Sequence, residues 1–326
     1  MTTGRSAEDI LALLREKGLP LAGTCSGRVD PVHAEALERW LERGLQGPLA
    51  YMSRWREQRA DPSRLEPWVK GVFVAALPYH TRRDASARAI ASGRGWISRY
   101  AWGRDYHRVL RARLAPAVRA LEDGGFKARA CVDTAPLLER HFAWKAGLGF
   151  IGKNGMLIHP EFGSYVFLGA ILTDMALEDG PALPDGCGEC SACLVRCPAG
   201  ALVAPRLLDA GRCLSTWTIE ARGPFPEDVP GLKGHLFGCD RCQEVCPFNA
   251  AAPLAAEPDF EPREGWFAPV PAEVAALSEA EWDRRTTGMA LRRARRDGLV
   301  RNARRVLEEQ HRAGRPVASP APGSDE

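Results

Sequence analysis

Apolar residues fall into a helical period almost at once: Ile10, Leu11, Leu13 and Leu14 follow Ser6 and Asp9, a Ser-x-x-Asp spacing that suits a capped helix start. The pattern predicts a first helix running to about Lys17, and Asp30-Pro31 opens a second. From Val72 to Leu77 the chain is continuously apolar behind Lys70-Gly71, the length and flanks of a buried strand. A helix is expected from Arg104 to about Glu122, stopped by Gly124-Gly125. A short strand ending near Val132, a helix from Pro136 to Ala146 and a strand from Tyr165 to Leu172 complete an α/β alternation.

The pattern changes after that. Glu178 to Asp185 holds two prolines and a glycine and reads as a linker. Cysteines then dominate, and from Leu277 the chain turns helical and arginine-rich before a Pro/Ser/Gly-rich end. The expected organisation is an α/β catalytic domain over 1–177, a cysteine module over 178–260, a basic helical region over 261–313 and a disordered tail over 314–326.

Cys187, Cys190, Cys193 and Cys197, followed by Pro198, form C-x2-C-x2-C-x3-C-P, a spacing that wraps thiolates round a [4Fe-4S] cube. Cys239, Cys242 and Cys246 with Pro247 repeat its last three positions, and Cys213 stands upstream to complete a second set. In two-cluster ferredoxins the fourth cysteine of each motif crosses to the other cube. That rule groups Cys187, Cys190, Cys193 and Cys246 around one cluster, and Cys197, Cys213, Cys239 and Cys242 around the other. A pair of zinc sites is the competing reading, but zinc pairs are usually separated by a longer loop. Cys25 and Cys131 lie outside both sets and read as small buried hydrophobes.

Composition narrows the picture where it bears on this chemistry. Ten cysteines in tight sets, with no secretory start, argue for metal binding in a reducing cytoplasm rather than disulfides. No run of about 18 apolar residues is present to span a bilayer. Net charge is only +3, yet eleven arginines against three acids fall between Arg284 and Arg315. A local excess of that size suits an RNA backbone, although most such runs are solvated helix faces.

Iron–sulfur clusters pass single electrons, so a second centre must change bonds. The first domain is expected to hold no G-x-G-x-x-G or Walker loop that marks a nucleotide site, and no D-x-H-x-x-G that supplies a histidine to a corrinoid. Four stretches carry a resemblance: Ile97-Ser-Arg-Tyr-Ala-Trp-Gly-Arg-Asp-Tyr-His107, Val132-Asp-Thr-Ala-Pro136, Lys145-Ala-Gly-Leu-Gly-Phe-Ile-Gly-Lys-Asn154 and Pro160-Glu-Phe-Gly-Ser-Tyr-Val-Phe-Leu-Gly169. With Gly238-Cys-Asp-Arg-Cys-Gln-Glu-Val-Cys-Pro247 in the same order, the chain resembles the epoxyqueuosine reductases over most of residues 50 to 305.

The resemblance implies a cobalamin-dependent reductase with an α/β corrinoid-binding domain, a ferredoxin-like module and a short helical end. Its expected reaction removes the epoxide oxygen of epoxyqueuosine at the wobble position of tRNA. It also implies a low-potential electron donor such as flavodoxin or ferredoxin, and a monomeric enzyme. Such enzymes hold cobalamin without a histidine beneath the cobalt, consistent with the missing motif. A corrinoid reductive dehalogenase and a plain ferredoxin-type carrier are the alternatives.

By the same resemblance Asp133 is the proton donor. That role requires burial to raise its pKa; the plainer reading is a helix cap. Tyr106, with His107, is expected to assist proton delivery. Arg59, Asp133, Lys153, Asn154, Ile158 and Ser164 match positions around cobalamin, and Arg292, Arg293, Arg295, Arg296 and Arg301 are candidates for tRNA.

Overall fold

The computed structural model describes residues 5–82 and 84–318, so most of the expected disordered tail lies outside the described residues. At its centre is a four-stranded sheet built from β1 (Leu21–Ser26), β2 (Gly71–Pro78), β3 (Ala128–Cys131) and β4 (Val166–Thr173), in the order β1-β2-β4-β3. Every neighbouring pair is antiparallel, with Val74 opposite Ala170 at the middle. Every residue of β2 is buried, as its unbroken apolar run requires of a central strand covered on both faces.

Each face has its own core. Helix α1 (Ala7–Glu16) and the long α3 (Tyr106–Asp123) lay Ile10, Leu14, Leu110 and Leu114 against Phe73 and Ile171. On the opposite face Phe142 and Ala143 of α4 (Glu139–Lys145) pack on Val72, Val74 and Leu172. The helix α2 (Pro31–Glu42) carries the proline at its first turn that the sequence announced. Helix α1 has the full capping box, Ser6 Oγ accepting from Asp9 N–H at 3.2 Å and Asp9 accepting from Ser6 N–H at 2.9 Å.

A third core crosses the expected region boundaries. Trp96 and Ile97 pair in parallel with His235–Phe237, 140 residues later in the chain. Trp96 and Trp102 are buried with Leu232, Leu236, Trp266, Trp282 and Leu299, so residues of the first, second and third regions share one apolar centre. The C-terminal helices α5 (Glu279–Thr286) and α6 (Arg295–Arg312) supply its outer wall. Among the described residues no helix is long and apolar enough to cross a membrane.

Candidate active site and cluster module

Asp133 sits just past the end of β3 in the left-handed region, φ 54°, a conformation that non-glycine residues adopt only when their surroundings hold them there. Its side chain is 57% exposed, with His107, Tyr106 and Arg293 acting on the carboxyl and Glu139 on the backbone N–H. His107, in the first turn of α3, reaches Asp105 Oδ1 with Nδ1 at 2.8 Å and Asp133 Oδ2 with Nε2 at 3.2 Å. The Tyr106 ring is stacked between His107 and Phe167, with centroids 4.1 and 4.4 Å away, and its hydroxyl hydrogen-bonds Asp133. Glu139, the first residue of α4, accepts the Asp133 backbone N–H at 2.6 Å.

These contacts decide where protons sit. Burial alone would raise Asp133, but the hydrogen bond and charge of His107, the Tyr106 hydroxyl and Arg293 hold it below the usual carboxylate range. The raised Asp133 pKa expected from sequence is therefore not met in the ligand-free protein. Burial works against charge on His107 too, yet its bonds to Asp105 and Asp133 outweigh that and push it up to about 9. Glu139 moves the other way from Asp133: burial first, then the Asp133 charge, pushes it up to about 8. These directions place the proton shared by His107 and Asp133 on His107 rather than on Asp133, while Glu139, bonded to the Asp133 backbone, is shifted toward its neutral form.

Arg59 lies on the same wall. Its Nη1 donates to Leu137 O at 3.3 Å, while its Nε is buried with no partner. Arg140 bonds the carbonyl of Gly155 and so ties this wall to the glycine-rich hairpin Phe150–Ile151 and Leu157–Ile158. Asp133, Thr134 and Arg140 leave their side chains open. An unbonded buried donor beside open polar groups fits a large ligand fringed with amides, as cobalamin is.

The other four predicted pocket residues form a seam against the cysteine module. Lys153 N–H points at Cys187 Sγ, 3.4 Å away, and Lys153 Nζ donates to Gly188 O at 2.5 Å. Asn154 Nδ2 donates to Cys242 O at 3.3 Å, and Ile158 is buried against Phe150 and Cys246. Ser164 is locked by Asn249 and Gln243, its N–H donating to Asn249 Oδ1 at 2.7 Å and its Oγ lying 2.9 Å from Gln243 Oε1. Next to it Gly163 has φ 66°, and a Cβ there would meet Asn249 Oδ1 at 2.1 Å, so only glycine allows this approach. The expected absence of a G-x-G-x-x-G from the first domain is incorrect, because Gly147-Leu-Gly-Phe-Ile-Gly152 has that spacing. It leads from a helix into this hairpin, not from a strand into a helix, and so lacks the dinucleotide-binding context.

All eight motif cysteines lie within residues 187–246. Cys187 and Cys190 act on the thiols of Cys193 and Cys246, Cys197 acts on Cys213, and Cys242 feels Cys193 as well as Cys197 and Cys213, so the two expected sets lie close enough to influence each other. Backbone N–H groups already aim at sulfur, Ala201 N at 3.2 Å from Cys197 Sγ among them, a contact that tunes cluster potential. Cys25 and Cys131 are buried in the sheet core as expected.

The basic stretch divides by structure. Arg301 donates to the carbonyls of Trp217, Ala221 and Gly223 and lies over the Phe225 ring at 4.0 Å, so it holds a loop. Arg296 is largely occupied by Leu277 O and Glu279. Arg292, Arg293 and Arg295 are exposed. Arg293 grips Glu220 through two nitrogens at 3.0 and 2.9 Å and acts on Asp133, placing it beside the pocket.

Sequence reasoning missed Glu139, Asp105 and Glu220. Glu139 follows Asp133 by six positions, and an acid at that distance past a turn was the one available signal. Asp30, His33 and His141 also approach one another as potential ligands, but Lys145 Nζ already bonds Asp30 at 2.8 Å.

Comparison with known proteins points one way. Residues 59–134 match the family described as epoxyqueuosine reductase QueG, DUF1730, and residues 186–249 match a 4Fe-4S double cluster binding domain. The epoxyqueuosine reductase of Gloeobacter violaceus is 43% identical over 86% of this chain and 89% of its own length. That of Escherichia coli is 38% identical over 86% of this chain and 76% of its own. A crystal structure of epoxyqueuosine reductase with an epoxyqueuosine-modified tRNA-Tyr stem loop superposes with a TM-score of 0.83 at 31% identity, covering 92% of this chain and 80% of that one. A Bacillus subtilis epoxyqueuosine reductase with its catalytic loop swung out of the active site gives 0.81 at 30% identity, with the same coverage.

Proposed function

From membership of the epoxyqueuosine reductase family, to which this chain belongs, we propose how its residues divide the work of converting epoxyqueuosine to queuosine in tRNA. The reaction takes up two electrons and two protons, breaks both C–O bonds of the epoxide, leaves a carbon–carbon double bond and releases water.

Cys187, Cys190, Cys193 and Cys246 would hold one [4Fe-4S] cluster and Cys197, Cys213, Cys239 and Cys242 the other, and the two would supply one-electron transfer from a low-potential donor of the flavodoxin or ferredoxin class in the cytoplasm. Bound cobalamin supplies the strongly reducing centre that meets the epoxide. Arg59, Thr134, Arg140 and the two glycines Gly152 and Gly155 would hold it, while Lys153, Asn154, Ile158 and Ser164 brace that wall against the cysteine module. Asp133 delivers protons. In the ligand-free protein it is ionised, so it acts as a relay that draws on His107 rather than as a preloaded acid. Tyr106 orients it, and Asp105 keeps the His107 ring aligned.

The tRNA approaches over Arg292, Arg293 and Arg295, with the modified base entering the pocket and the sugar-phosphate chain outside. Arg301 stays with the fold. One chain carries every residue named here, in keeping with a monomer.

The observation that carries this reading is an arrangement of contacts: Asp133 at φ 54° has His107 on its carboxyl and Glu139 on its N–H, and the neighbouring Arg140 bonds Gly155 in the hairpin that meets Cys187 and Cys242. The test is turnover of an epoxyqueuosine-containing tRNA stem loop by anaerobic, cobalamin-loaded enzyme. Asp133→Ala is expected to keep iron and cobalt and lose roughly 100- to 10,000-fold in kcat. Undiminished kcat would remove the relay.

A further inference from the structure

The bond between Glu139 and the Asp133 backbone is not used by the chemistry above. We infer that Glu139 is a positioning residue, a latch that holds the Asp133 loop in its left-handed pose so that the carboxyl of Asp133 faces the pocket. The inference rests on Asp133 acting there.

Asp133 is held at a backbone angle that an aspartate leaves readily when unsupported, φ 54°. The other bonds along the turn are local or peripheral. Thr134 N–H donates to Val132 O at 2.6 Å, Leu137 N–H to Ala135 O at 2.8 Å, and Arg111 reaches only the Thr134 hydroxyl, at 3.2 Å. Glu139 alone, at 2.6 Å, joins the Asp133 main chain to a helix packed on the sheet. Because α4 is fixed by Phe142 and Ala143 in a core, its first residue is a firm anchor for the Asp133 turn.

Side-chain and backbone contacts on Asp133 then divide in function. His107 and Tyr106 touch its carboxyl and govern its proton, whereas Glu139 touches only its backbone and governs its place. The groups that act on Glu139 are Asp133, Arg140 and Arg59, with Tyr106 and Cys131 also in range. With so much burial the carboxyl is protonated near neutrality. A glutamine amide, which keeps a carbonyl acceptor, is then a close mimic.

The test pairs two variants with two readouts on anaerobic holoenzyme. Hydrogen exchange is followed over 131–138, and kcat and KM are measured with the modified stem loop. Glu139→Ala should speed exchange in that segment at least tenfold and lower kcat by roughly 100-fold, since misplacing a reacting group by about 1 Å costs that much. KM and iron content should stay within about twofold of wild type. Glu139→Gln should restore both exchange and kcat. Wild-type exchange in Glu139→Ala overturns the latch, as does fast exchange with kcat untouched, or a Gln variant as loose as the Ala one. An active Asp133→Ala enzyme would instead remove the role of Asp133, while the exchange rates still judge the bond.

Discussion

Phe73 lies at the centre of the sheet, fully buried in an apolar core with Leu110, Leu114 and Ile171. Arg99, 4% exposed where the N-terminal half meets the cysteine module, is enclosed as completely but by charge and aromatic faces. Its N–H donates to Asp240 at 2.9 Å, its guanidinium lies 3.9 Å from Glu244, and it rests over Trp96, Trp102 and Tyr165 within 5.6 Å. Glu244 in turn accepts from Ser86 N–H and Oγ at 2.6 and 2.7 Å. The sheet half can fold on apolar burial, which is non-directional and tolerant. The cysteine half has few large apolar groups of its own between residues 186 and 204 and relies on directional bonds and on metal.

The largest effect that would break this contrast comes from removing a cluster. Cys242→Ser should cost half of the bound iron and leave amides in 186–249 exchanging nearly as in an unfolded chain, while β2 and β4 keep their protection. Anaerobic iron analysis with hydrogen exchange decides it. Equal loss of protection in the sheet would mean the two halves stand or fall together through the shared Trp96–Leu236 core.

Next comes Arg99→Ala against Phe73→Ala. Each should lower unfolding stability by roughly 3–5 kcal/mol, one through carboxylates left unpaired and the other through a cavity. Their pH responses separate the causes. Burial pushes Asp240 up to about 6 even though Arg99 pulls it down. The folded protein thus favours the protonated acid, so this group's contribution is greatest at low pH and declines as pH rises through about 6. Without Arg99 the penalty for the charged form grows. The Arg99→Ala deficit should therefore shrink between pH 8 and pH 5 in denaturant titrations, and the Phe73→Ala deficit should stay level. Parallel curves would show that Arg99 acts only as bulk.

The same contrast explains what could be read in the chain. The runs Val72–Leu77 and Tyr165–Leu172 announced β2 and β4 because central strands are apolar from end to end. Leu21–Ser26 did not announce β1: an edge strand of small residues, Leu-Ala-Gly-Thr-Cys-Ser, carries no period. Helix α4 starts at Glu139, three residues later than Pro136 suggested, because the intervening turn is shaped by Asp133 and the Glu139 bond. Cysteine spacing announced a double-cluster module, since ligand geometry is local. The pairing of Trp96 with His235 was beyond reach, as nothing local marks a partner 139 positions away. Aspartate 133 was found by resemblance, but its ionised state required the positions of His107 and Arg293, which come from other elements.

The smallest effect gives the finest comparison, because the two halves carry the same local device. Ser6 caps α1 and Ser278 caps α5, each with a reciprocal acid, Asp9 or Glu281, accepting the serine N–H at 2.9 Å. Replacing either serine by alanine should cost about 1 kcal/mol of local stability, since each loses one bond to a helix N–H. Helix α1 rests on the sheet through Ile10 and Leu14, whereas α5 contributes Trp282 to the core shared with Trp96 and Leu236. If the directional half opens as one unit, Ser278→Ala should lower protection across α5, α6 and 235–237 together, while Ser6→Ala should be felt in α1 alone. Amide exchange at matched pH separates the two. A loss confined to α5 would mean that the shared core opens piece by piece, and that the clusters, not the helices around them, set the cooperativity of this half.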